Sequence, residues 1–203
     1  PEALRRLTEA MGESIRHRGP DDDGVWLDPE IGLGLAHRRL AVIAPTSEGR
    51  QPAISKSGRF VLVFNGEIYN FREIAKQLAA EGHPTSSNSD TVVLLEAIAV
   101  WGVRKAAEAA VGMFAFAVFD QETRTLSLVR DRLGIKPLYW SNQSDCFAFG
   151  SELKALHASG RIDTARDPDA LAAYLQFSYI PAPATIYRNV RKLQPGTILT
   201  LRP

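Results

Sequence analysis

The sequence predicts an α+β fold, with antiparallel strands and helices kept in separate stretches. Three observations support this. Phe60–Phe64 reads FVLVF, a continuous apolar run of strand length between turn residues. From Phe114 to Gly150, four short apolar stretches are separated by turn residues, the spacing of antiparallel hairpins. No G-x-G-x-x-G or phosphate-binding loop opens a helix, so a parallel nucleotide-binding sheet is not indicated.

The elements follow in order. Leu4, Leu7, Met11 and Ile15 recur at helical spacing, which predicts an amphipathic helix over 2–16. HRGPDDDG, from His17 to Gly24, is too polar and turn-rich to continue it. Short strands are expected at 25–28, 31–36 and 39–43, then the buried strand at 60–64. Asn70 with Glu73 three residues later resembles a capping box, and Gly82 is a stop. Residues 90–101 are apolar on most faces, a buried helix ended by Gly102. Strands at Phe114–Asp120, Thr125–Arg130, Pro137–Ser141 and Cys146–Gly150 form the meander. A short helix at 151–158 follows. Asp167–Pro168 then starts a helix that runs to about Phe177. Thr197–Leu201 is a last strand.

The bulk properties exclude several classes. A net charge of +1 over 203 residues gives no basic surface for nucleic acid or an anionic membrane. No apolar run approaches the roughly 20 residues of a membrane span. Cys146 is the single cysteine, so no internal disulfide can form, which fits a cytoplasmic location. The sequence begins inside a helical pattern and stops just after an apolar run, so a longer protein is expected.

Some residues could carry chemistry. Asn65-Gly66 is the strongest short hairpin signal, yet the chain goes on into a helix start. A side-chain amide beside a glycine N–H at the end of a strand would otherwise make two oxyanion donors. Arg38 and Arg39 are either a solvated pair or, for one of them, a fork for a carboxylate. Asp90 is either a helix cap or the partner of an ammonium group. Together an arginine, an acid and two oxyanion donors suit a free α-amino acid that carries a side-chain amide. Arg130–Leu138, RDRLGIKPL, reads as a loop with an internal Arg–Asp network, worth little if exposed. The acids of HRGPDDDG do not stand at metal-ligand spacing, so no metal is expected. His37, His83 and His157 form no legible Ser-His-Asp arrangement. Cys146, in the alternating CFAFGS, is expected to be a buried structural thiol.

Eight blocks, HRGPDDDG, AHRRLAVI, GRQPA, FNGEIYNF, SNSDT, GMFAFAVFD, RDRLGIKPLYW and FGSELKAL, occur in the order found in class II glutamine amidotransferases. The chain resembles the amino-terminal half of the glutamine-hydrolysing asparagine synthetases over nearly its whole length. That resemblance implies an N-terminal-nucleophile hydrolase fold, a four-layer αββα sandwich of two antiparallel sheets, here lacking its first strand. It implies a glutaminase domain over 1–160 and a bridge over 161–203 into an ATP-dependent synthetase domain. It also implies site roles. Arg39 and the backbone of Leu40, Val42 and Ile43 would hold the glutamine carboxylate. Asn65 and Gly66 would form the oxyanion hole, Glu67 would line the pocket, and Asp90 would bind the ammonium.

The family's nucleophile is an amino-terminal cysteine that uses its own α-amine as base. Pro1 offers no such group, and Cys146 is neither terminal nor on a pocket-forming loop. No catalytic nucleophile is therefore expected in these 203 residues, and this polypeptide alone is expected to be inactive. The missing strand should also weaken the fold. ATP and Mg²⁺ are expected only for the synthetase domain, which would make asparagine from aspartate. Two alternatives stay open: a glutaminase that serves a different acceptor, and a non-catalytic scaffold. A homodimer also stays open.

Overall fold

The computed structural model describes residues 1–40, 49–85, 87–143 and 146–202. In chain order the elements are α1 (Glu2–Ser14), a 3₁₀ turn at Arg16–Arg18, β1 (Asp22–Asp28), β2 (Leu33–Arg39), β3 (Ala53–Ile54), β4 (Phe60–Ile68) and α2 (Phe71–Ala80). Then come α3 (Asp90–Ala109), β5 (Gly112–Asp120), β6 (Thr125–Arg130), β7 (Tyr139–Gln143) and β8 (Cys146–Gly150). The chain ends with α4 (Leu153–Ala158), α5 (Pro168–Phe177), β9 (Arg191–Lys192) and β10 (Ile198–Leu201).

FVLVF is apolar throughout because both faces of β4 are covered. It lies in a five-stranded antiparallel sheet of order β10-β6-β5-β4-β3. Phe60, Leu62 and Phe64 pack toward α2 and α3, with Phe114, Phe116 and Val118 of β5. Val61 and Val63 point the other way, with Ala115, Ala117 and Phe119, into a second core closed by Leu35, Leu138 and Leu193. That second core is roofed by two smaller sheets, β1-β2 and β8-β7-β9. A third cluster, Ala148, Leu156, Ile162 and Val190 with Met11 against it, packs α1 and α4 onto the outside of those sheets. The layers are therefore helices, large sheet, small sheets, helices: the expected αββα sandwich, with its second sheet in two pieces.

Several local expectations are corrected. β1 starts at Asp22, so part of HRGPDDDG is strand, held by pairing of Asp22 with Arg39 and Asp23 with Arg38. β2 spans 33–39, not 31–36, and the rest of the strand expected at 39–43 lies outside the described residues beyond Leu40. β4 continues four residues past Phe64, so Asn65 and Gly66 are strand residues opposite Ala115 and Phe114, not a hairpin turn. Pairing with β5 overrides the dipeptide preference. Asn70 precedes α2 without capping it, because its side chain accepts from Val111 N at 2.8 Å and donates to Ala109 O at 3.0 Å. Gly102 does interrupt α3, with φ 80° and ψ 163°, a conformation open to glycine, but the helix resumes and runs to Ala109. The Asp167 cap forms as expected, its carboxylate accepting from Asp169 N and Ala170 N. β6 and β7 belong to different sheets, so the meander breaks there. Residues 161–203 add β9 beside β7 and β10 beside β6.

RDRLGIKPL is not an exposed Arg–Asp network. Asp131 is 1% exposed and accepts backbone amides from Leu133, Ile135 and Lys136, each at 3.0 Å, and from Phe114 at 3.3 Å. Burial works to raise its pKa, but these amide bonds together hold it below the usual carboxylate range. Arg130 meets carbonyls instead, those of Lys136, Gly134 and Leu193. A polar loop with this many internal bonds is rigid. It carries Leu133 and Ile135 outward, 80% and 53% exposed.

Candidate functional site

Between the two small sheets runs a trough of about 830 Å³. β2 forms one flank and β8 the other, and each is the edge strand of its sheet. Leu4, Leu7 and Met11 of α1 line it from outside, and Val63, Ala115 and Ala117 of the large sheet from inside. Gly34 is a glycine because β2 runs against α1 here: a Cβ would lie 2.0 Å from Thr8 Oγ1.

The polar end of the trough is built on β4. Alternate residues of a strand direct their N–H and C=O groups to the same side. Along the edge facing away from β5 these residues are Phe60, Leu62, Phe64, Gly66 and Ile68. Phe60 bonds Ser55, its carbonyl accepting from Ser55 N at 2.9 Å. Leu62 lies opposite Ala53 of β3. Phe64 N donates to Gln51 Oε1 at 2.6 Å, and its carbonyl accepts from Gln51 Nε2 at 3.1 Å. Ile68 N donates to Asp90 Oδ2 at 3.0 Å. Gly66 is the remaining rung, and among the described residues nothing bonds it on that side. It must be glycine, because a Cβ would fall 2.2 Å from the Met113 carbonyl oxygen and 2.6 Å from Phe114 Cα. The neighbouring Asn65 Nδ2 is buried and, among the described residues, has no hydrogen-bond partner. A buried amide left without a partner costs about 1–3 kcal/mol, so this donor lowers the stability of the fold.

The other sequence-predicted residues surround this wall. Arg39 ends β2 and lines the trough, its guanidinium packed against Gly49, where a Cβ would lie 2.3 Å from Nη2. The structure separates it from Arg38, which bonds the Gly12 carbonyl and pairs with Glu13 and Asp23. Asp90 is the first residue of α3, and its second oxygen accepts from Thr91 N at 2.8 Å. It therefore ties the helix start to the end of β4. Leu40 and Glu67 also line the trough. Val42 and Ile43 lie outside the described residues. Cys146 is on the β8 flank and is half-buried instead of buried.

Two residues of this wall were not singled out from the sequence. His37 Nε2 lies 3.1 Å from the Phe64 carbonyl, which requires that nitrogen to carry the proton. Burial lowers its pKa to about 4; the Phe64 hydrogen bond opposes this and the charge of Arg39 adds to it. The ring is therefore neutral at pH 7. The period-2 pattern contained the signal, since Leu35, His37 and Arg39 share one face of β2. Gln51, the other residue, lies in no periodic stretch and gave none.

The family model for the glutamine amidotransferase domain matches residues 2–203. The chain belongs to this family. Asparagine synthetase [glutamine-hydrolyzing] 1 of Bacillus subtilis is 38% identical over 197 residues, covering 97% of this chain and 30% of that protein. Asparagine synthetase [glutamine-hydrolyzing] 3 of the same organism is 34% identical over 199 residues, 97% of this chain and 32% of that protein. The amidotransferase domain thus spans about a third of the length of these curated relatives. Its fold matches a glutamine phosphoribosylpyrophosphate amidotransferase from B. subtilis with a TM-score of 0.68 at 21% identity, over 97% of this chain and 44% of that one.

Proposed function

We propose that the trough binds L-glutamine and that the domain releases ammonia from it to serve asparagine synthesis. The observation that carries this reading is the pair of donors on β4, the open Gly66 N–H rung beside the unpartnered Asn65 Nδ2. Donors held in place before reaction are what an amide carbon needs as its oxygen becomes negative. Arg39, with Leu40, Val42 and Ile43, takes the α-carboxylate. Asp90 takes the ammonium, and Glu67 closes the pocket.

The nucleophile is a thiol whose proton passes to an amine. Its sulfur bonds the amide carbon, the C–N bond breaks, ammonia leaves, and water frees glutamate from the thioester. We place that thiol on a strand seated between β2 and β8, which both line the trough and whose outer edges pair with no strand among the described residues. By itself, the 203-residue polypeptide binds glutamine without turning it over. The acceptor is handled by a synthetase domain of the same, cytoplasmic, protein, using ATP, Mg²⁺ and aspartate. We assign ATP to that domain because no glycine-rich loop opens a helix here. The outer face of α5 supports such a neighbour: Leu171, Tyr174 and Leu175 are exposed there at helical spacing.

The test is calorimetric titration of this polypeptide with L-glutamine, alongside an ammonia assay. Saturable millimolar binding with no ammonia above a blank is expected. Absence of binding would leave a scaffold role, and turnover would overturn the placement of the nucleophile.

A further inference from the structure

Past Leu62 the outer edge of β4 has no strand beside it among the described residues, since β3 pairs only with Val61 and Leu62. The Phe64 rung is closed by side chains instead. Gln51 gives it the two bonds a neighbouring strand would make, accepting from its N–H and donating to its carbonyl. His37 donates to the same carbonyl. Each polar atom of the Gln51 amide bonds the Phe64 backbone in this way, so Gln51 acts on β4.

We propose that Gln51 is a positioning residue that sets the direction of the Asn65 and Gly66 donors. This rests on the glutamine reading above. Gly66 is the residue of the strand most free to change φ and ψ, and among the described residues it lacks a bond of its own on this edge. The ladder to β5 holds Asn65 and Glu67 on the inner side, and on this outer edge the orientation of Gly66 depends on what holds the rungs on either side. Asp90 holds the rung at Ile68, two residues after it. Gln51 holds the rung at Phe64, two residues before it. Donors must lie within about 0.5 Å and 10–20° of their working geometry, and an unbonded rung does not provide that. Without Gln51 the Phe64 N–H is left to water, the Phe64 carbonyl keeps only His37, and Asn65, the next residue, is held less firmly.

The experiment compares L-glutamine with L-norvaline, which has a methyl group in place of the side-chain amide. Both are titrated into the unmodified polypeptide and into Gln51→Ala, and exchange of the Phe64 and Leu62 amides is followed by NMR. The unmodified protein should prefer glutamine. Gln51→Ala should cut that preference at least fivefold, keep norvaline affinity within twofold, and lose protection at Phe64 but not at Leu62. Equal weakening of both ligands would make Gln51 merely structural and overturn the proposal, as would an unchanged preference. If the unmodified protein shows no preference, the glutamine reading fails and the proposal falls with it. Gln51→Glu keeps an acceptor for the Phe64 N–H but sets an oxygen against the carbonyl. It carries the same test if the alanine variant unfolds.

Discussion

Lowering the pH from 7 to 4.5 should weaken the fold by about 2 kcal/mol through His37 alone. In the unfolded chain this imidazole titrates near its ordinary 6.5, and in the folded domain at about 4. Between those values the unfolded state binds a proton that the folded state refuses. Stability is therefore full above pH 6.5 and falls as pH drops toward 4. At about 1.4 kcal/mol per pKa unit the whole shift amounts to roughly 3 kcal/mol, and most of it is lost by pH 4.5. Water in the trough reaches the half-buried ring and trims the figure. The assay is urea unfolding of the unmodified protein and His37→Gln at both pH values. Glutamine can still donate to the Phe64 carbonyl but does not titrate, so the difference between the two pH effects isolates His37. Groups common to the two proteins cancel. Equal pH dependence in the two proteins would refute the reasoning.

Asp131→Asn turns one acceptor oxygen into a donor facing two backbone amides. It should cost about 3 kcal/mol in urea unfolding at pH 7, and a loss under 1 kcal/mol would contradict the role given to Asp131. Because the Asp131 pKa is lowered, this difference should persist at pH 5 and shrink only below about pH 4. Gly66→Ala sets a methyl against backbone that cannot move aside. It should destabilise by about 1–3 kcal/mol and abolish glutamine binding, both readable from glutamine-dependent melting curves. Leu175→Ser should change stability by no more than about 0.5 kcal/mol, since Leu175 is 76% exposed; a larger loss in a denaturant melt would mean that α5 packs on this domain.

Much of the fold was legible because its signals are local. FVLVF suited a buried strand, and Asp167–Pro168 read as a cap and first-turn proline of a helix. The amphipathic pattern of 2–16 marked the face that α1 lays on the small sheets. The candidate residues were legible too, but only as a set. Alone, Asn65-Gly66 pointed to a turn, and pairing with β5 made it strand. That is a long-range fact, because Ala115 and Phe114 are far along the chain. Asn70 showed the same limit, its cap diverted to a carbonyl and an amide on the far side of α3.

By itself, the sequence determined the α+β class, the order of most elements and the residue types that an amino-acid pocket needs. It did so because periodicity, caps and turn residues act over a few positions. Only the tertiary structure decided that Arg38 is tied to Gly12, Glu13 and Asp23, why His37 stays neutral, and what holds Phe64. Those answers depend on β2, the Gln51 segment and β4 meeting in space. It also decided that, among the described residues, Gly66 is the one open rung of its edge. A rung is open only by comparison with its neighbours, and their partners, Ser55, Ala53, Gln51 and Asp90, come from separate parts of the chain.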